Sequence, residues 1–214
     1  MTEAFRKDTT RTIRKTLNRF CSILLIVALG VGFFAGVRAT GNDMRDTASD
    51  YYTEYNSMDV KLLSTLGFSE KDVAAVQAVS GVKQVYAGKF VDCLTLCHDN
   101  FLTRVFSLPQ HPDSPETMNR LRVLEGRLPE AADECAIDQN VTDKYGFRVG
   151  QTLTLSPADP LDVLENDLEN TVYTIVGMVN SPMYVDMTRR GSTTVGDGSL
   201  DAYIYVPEEN FTAE

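Results

Sequence analysis

The hydrophobic pattern is dominated by one run. Phe20 to Val37 is eighteen residues with Ser22 as the only conventional polar side chain. As a helix it spans about 27 Å, close to the roughly 30 Å of a hydrocarbon core. Eleven of the eighteen are Leu, Ile, Val or Phe, each favouring insertion by roughly 0.3 to 0.6 kcal/mol near the centre. A buried helix of a soluble domain would show a polar face at 3.6 spacing, and this run shows none. A cleaved signal peptide is the rival reading, with Val37-Arg38-Ala39 as its cleavage site. The run exceeds the usual apolar region of about 7–15 residues, so the spacing predicts a retained transmembrane helix over residues 20–38. Within it Ala28, Gly32 and Gly36 recur every fourth residue and share one face. Small residues there let a second membrane helix approach closely.

The flanks continue the helical pattern. Residues 1–19 read as a basic amphipathic helix, with Phe5, Ile13 and Leu17 as its apolar stripe. Its Lys and Arg heads suit an anionic lipid surface. After the run, Met44, Ala48, Tyr51, Tyr52 and Tyr55 keep spacings of three or four. That predicts a helical stalk over residues 39–57, with a break at Asn56-Ser57.

From residue 58 the period shifts towards two. Met58–Ser64 and Val82–Tyr86 read as strands around a helix at Ser69–Val79, opened by a capping box, Ser69-Glu-Lys-Asp72. Further strands are expected at Phe90–Cys97, Phe101–Leu108, Leu121–Leu124, Glu134–Asp138, Gln151–Leu155, Val172–Val179 and Ala202–Val206. A short helix is expected at Asn140–Tyr145, and an exposed loop or frayed helix at Ala158–Glu169. Strands outnumber helices beyond the membrane run, so the fold class is α+β.

Charge sharpens the picture. The chain carries a net charge of −10, but residues 1–19 hold six Lys or Arg against two acids. Residues 39–214 hold thirteen Lys or Arg against twenty-eight acids. The bias places residues 1–19 in the cytoplasm and the main body outside. An acidic body has no basic surface for phosphates, which excludes nucleic acid as its partner.

Candidate chemistry is sparse. No Gly-x-x-x-x-Gly-Lys-Ser/Thr motif is present, so no phosphate loop is expected. Cys93-Leu-Thr-Leu-Cys97-His98 invites a metal reading. On a strand, however, residues 93 and 97 stand about 13 Å apart, too far for one ion. A bridge from Cys135 to Cys93 or Cys97 stays open outside the cytoplasm. No catalytic, cofactor-binding or metal-ligating residue is assigned.

Several motifs carry a resemblance. They are the strand Met58–Ser64 followed by the helix Ser69–Val79 and the turn Ser80-Gly-Val82, then Leu124-Glu-Gly-Arg-Leu-Pro129, Tyr145-Gly-Phe-Arg-Val-Gly150 and Tyr173-Thr-Ile-Val-Gly177. In that order, behind a first membrane helix, they resemble the FtsX-like, MacB-type permease subunits of ABC transporters. The resemblance implies a two-lobed α+β extracytoplasmic core domain, here residues 58–214. It implies an ABC ATPase subunit that binds ATP in place of this chain, and further permease membrane helices or a second permease copy in the bilayer. It implies export or force transmission across the cell membrane, not catalysis. The family carries at least three more membrane helices after its core domain, so the chain is expected to be C-terminally incomplete. A single-pass anchored binding or sensor domain is the alternative.

Overall fold

A computed structural model of the chain describes residues 3–64, 66–159, 164, 167–186 and 190–212. Two compact units result, Met1–Asp50 and Tyr51–Glu214, and the boundary between them falls within one helix.

The first unit is helical. Helix α1 spans Glu3–Lys15, with Glu3 in its first turn and Arg14 and Lys15 in its last, as the helix dipole favours. Helix α2 spans Leu17–Glu54, 38 residues. Part of it is long and apolar enough to cross a membrane. Every side chain from Phe20 to Val37 is exposed within the chain, Leu29 at 71% and Phe33 at 77%. Gly30, Gly32, Gly36 and Gly41 all lie inside α2 without interrupting it. In hydrocarbon an unpaired amide costs several kcal/mol, which holds such a segment helical despite its glycines.

Helix α2 ends where the sequence predicts a break. Asn56 takes a left-handed conformation, φ 46°. The Ser57 amide donates to the Tyr52 carbonyl and the Asn56 amide to that of Thr53. This is a Schellman stop with Asn in the position usually held by Gly.

Seven strands follow in the second unit: β1 Phe90–Leu96, β2 Phe101–Leu108, β3 Arg122–Gly126, β4 Glu134–Asp138, β5 Thr152–Pro157, β6 Val172–Asn180 and β7 Ala202–Pro207. The sheet order is β3-β6-β4-β7-β2-β1-β5, and β5 also pairs with β6. Thr174 is paired on both sides, with Glu134 of β4 and Thr152 of β5. Six strands therefore close into a barrel, and β3 extends beside β6. Closure pairs both edges of the six barrel strands, and β3 alone keeps an unpaired edge among the described strands.

Alternation fills the barrel. Val105, Ile137, Leu153, Tyr173, Ile175 and Ile204 belong to one buried cluster. The intervening residues Phe106, Ala136, Val179, Tyr203 and Tyr205 belong to a second. Strand β2 is buried along its whole length, because both of its faces are covered. A bulge in β6 changes the parity. The register passes from Cys135↔Ile175 to Ala136↔Gly177, so Ile175 and Met178 both join the first cluster.

Two expectations need correction. The strands expected at Met58–Ser64 and Val82–Tyr86 do not form; neither stretch has a ladder partner among the described residues. Val60, Leu62 and Leu63 stay 73%, 56% and 64% exposed. High β-propensity without a partner edge does not make a strand. Between them α3, Glu70–Gln77, keeps its capping box: Ser69 donates its amide to Asp72 Oδ2 and accepts the Asp72 amide. The loop expected at 158–169 lies partly outside the described residues. Leu164 and Leu168, which are described, are buried in the first cluster and not exposed. The other strands and helix α4, Gln139–Tyr145, fall within three residues of their expected bounds.

Candidate functional site

The residues predicted to pack a second membrane helix, Ala28, Gly32 and Gly36, lie on α2 at one-turn spacing. A Cβ built on Gly32 or Gly36 would meet nothing within 4 Å. Among the described residues no contact requires glycine at either position, and nothing covers the small-residue face.

The motif Glu125-Gly-Arg-Leu-Pro129 sets a turn. Gly126 adopts φ 75° and pairs with Gly177 of β6. Arg127 then donates Nη1 and Nη2 to the two Glu134 carboxylate oxygens, at 2.7 and 2.5 Å. Glu134 also accepts the amides of Glu130 and Ala131. The Arg127 side chain and these amides hold the Glu134 carboxyl down at about 2. The Glu134 carboxylate is thus committed to the turn. Tyr145-Gly146 is the second such element. Gly146 closes α4 in the left-handed conformation, and Tyr145 stacks on Phe101 at 4.0 Å.

Two buried ion pairs were not anticipated. Arg104 forks onto Asp92 with two bonds of 2.6 Å and donates to the Ser192 carbonyl at 3.1 Å. Arg190 binds Asp138, with side chains 4% and 0% exposed, and Asp138 also caps α4 through the Asn140 amide. Arg190 and Ser192 are thereby tied to β4 and β2, beside the outer aromatic layer. There Tyr184 stacks on Tyr203 at 4.8 Å and Phe106 on Tyr205 at 5.3 Å. The signal was present for one of them: Arg104 interrupts an apolar strand and stands opposite Asp92 in the ladder.

The four cysteines form no disulfide in this structure. Cys93 and Cys135 are fully buried in the barrel; burial pushes the Cys93 thiol up and the Cys135 thiol up to about 12. Cys97 lies past the end of β1, half-buried, with its thiol on the Asp99 carbonyl at 3.0 Å. It borders an open depression of about 530 Å³ beside Tyr145, Phe147 and Gln151. His98 and His111 are exposed. Among the described residues no three His, Cys, Asp or Glu side chains gather as a metal would require.

These features define a membrane-anchored α+β domain. The sequence profile of MacB-like periplasmic core domains matches residues 22–214. The chain belongs to that family, the extracytoplasmic domains of FtsX- and MacB-like ABC permeases. The solved extracellular domain of the noncanonic ABC-type transporter YknZ from Gram-positive bacteria is similar at 16% identity. That likeness has a TM-score of 0.37, over 72% of this chain and 71% of that one. A domain described as belonging to a permease protein from Porphyromonas gingivalis is similar at 15% identity and TM-score 0.37. It covers 66% of this chain and 56% of its own. Likenesses this distant carry no weight alone, and the family rests on the profile. No curated protein matches.

Proposed function

We propose that this chain is part of a permease subunit that couples ATP hydrolysis in a partner ATPase to movement of its extracytoplasmic domain. The observation that supports the reading is the continuity of α2. One helix of 38 residues joins the apolar run to Glu54. Its part beyond Val37 adds seventeen residues, about 25 Å at 1.5 Å each. A tilt of the membrane segment is carried along such a helix, whereas a floppy tether would lose it. The N-terminus is cytoplasmic in this reading, because the basic residues of α1 belong on the inner side. Ala28, Gly32 and Gly36 take a neighbouring membrane helix, from the permease itself or a second copy. The chain holds no nucleotide and acts by moving, not by catalysis.

Spin labels at Thr47 and Thr152 test this in the assembled transporter, with Cys21 and Cys97 replaced by serine. Both labels should shift when the partner ATPase binds ATP. If the membrane helices respond and both labels stay still, the domain is a passive docking surface and the reading fails. Thr65, a natural alternative label site, lies outside the described residues.

A further inference from the structure

The last backbone carbonyls of a helix have no partner within it. In α2 they are accounted for one by one. The Schellman bonds take those of Tyr52 and Thr53, and the Tyr55 amide takes that of Tyr51. The next three all go to one dipeptide some sixty residues further along. Arg120 donates Nη2 to the Glu54 carbonyl at 2.9 Å. The Arg120 amide donates to the Tyr55 carbonyl, and the Asn119 amide to the Asn56 carbonyl, each at 3.0 Å.

The dipeptide is itself held. Asn119 and Asn56 are the only non-glycine residues with positive φ among those described, at 54° and 46°. Asn119 Oδ1 accepts the Met58 amide at 2.9 Å. Asn56 Nδ2 donates to the Glu116 carbonyl at 3.0 Å. The Arg120 guanidinium lies 5.2 Å from the centre of the Tyr55 ring, a position that favours a cation. A cation at a helix C-terminus is favourable on its own account. Arg120 Nε is buried without a hydrogen-bond partner. The fork is thus aimed at the helix end although one of its own donors goes unsatisfied. Immediately after it, Leu121 is buried in the outer cluster and Arg122 opens β3.

We propose that Asn119-Arg120 is the joint that makes the end of α2 and the barrel a single body. It is a positioning device. Its mechanical consequence rests on the force-transmission reading above; its existence does not.

Hydrogen exchange on the full chain in nanodiscs tests the joint without any ATPase. Peptides covering 51–58 and 117–121 should lose protection together in Arg120→Ala, by about tenfold or more in exchange rate. The β2 and β7 peptides, 101–108 and 202–207, should stay unchanged. Arg120→Lys keeps the charge and loses the fork, so it should fall between. Unchanged exchange in Arg120→Ala, or a loss confined to 117–121, overturns the joint. If Arg120→Ala also opens the barrel peptides, Arg120→Lys decides: only a paired loss at 51–58 and 117–121 supports the joint. In the assembled transporter the two ideas separate. A protected joint with no ATP-dependent movement overturns force transmission alone. Movement of the Thr152 label that survives Arg120→Ala overturns the joint alone.

Discussion

Gly126 and Gly177 meet across the β3–β6 pair so closely that neither position has room for a side chain. A Cβ on Gly126 would lie 2.1 Å from the Val176 carbonyl oxygen, and one on Gly177 would lie 2.1 Å from that of Arg127. Both obstacles are backbone, which cannot swing aside as a side chain end does. Gly126 is also at φ 75°, where an L side chain is strained. The pair fixes the turn that leads from β3 into β4 and the bulge that resets β6.

Alanine at either glycine should therefore cost about 3 kcal/mol of stability, from the overlap and, at 126, the added backbone strain. Urea unfolding of the full chain in detergent, followed by tyrosine fluorescence, measures it. A midpoint within error of the parent for Gly177→Ala would mean that the two strands can part at no cost.

The Glu134 turn predicts a pH dependence. Its folded-state value of about 2 lies below the ordinary 4.5. A carboxyl depressed on folding contributes stability above its unfolded value, and that contribution is lost as pH falls through the folded one. The melting temperature should drop between about pH 4.5 and pH 2, and Glu134→Gln should flatten that segment of the profile. The effect is small, because the Arg127 partner is 48% exposed and solvent screens it. An identical slope in the variant would assign the acid sensitivity to other carboxylates.

Asp138 and Arg190 make the opposite case, a pair shut away from water. Removing one partner leaves the other charge buried alone. Arg190→Met should cost about 3–5 kcal/mol. Asp138→Asn added to it keeps an acceptor for the Asn140 amide and removes the stranded charge, so the double variant should recover part of that loss. Urea midpoints of the two single variants, the double variant and the parent decide. A double variant as unstable as the sum of the single changes would show that the two side chains act independently.

The sequence made the barrel strands legible where a short apolar run lies between turn residues. Phe101–Leu108 and Glu134–Asp138 form over the expected bounds. It could not reveal the parity switch at Gly177, because a bulge is defined by the facing strand. Met58–Ser64 failed for a related reason: period-two alternation names a face, not a partner. Gly126 and Gly146 act locally, each at positive φ in a turn or helix end set by its neighbours in sequence. Asn119-Arg120 was not legible, because it bonds to residues more than sixty positions away and shows no periodicity of its own.

The bare face of α2 supplies the last prediction. Gly30 and Gly32 are two positions apart, so their directions differ by about 200° around a helix of 3.6 residues per turn. Isoleucine at either has open space within this chain. Each change adds the same apolar surface to the membrane run, so insertion is affected alike, and each replaces glycine by a better helix former. Only the direction of the new side chain differs. On the face of Ala28 and Gly36, Gly32→Ile holds a neighbouring helix away from the close backbone approach that small residues permit. Gly30→Ile projects to the other side. Co-purification of the intact permease with its ATPase should therefore fail for Gly32→Ile and persist for Gly30→Ile. Hydrogen exchange of the β2 and β7 peptides should be unchanged in both, since α2 residues before Asp50 belong to a separate compact unit. If the two variants behave alike, whether both assemble or neither does, the small-residue face has no partner and its spacing reflects only the frequency of glycine in membrane helices.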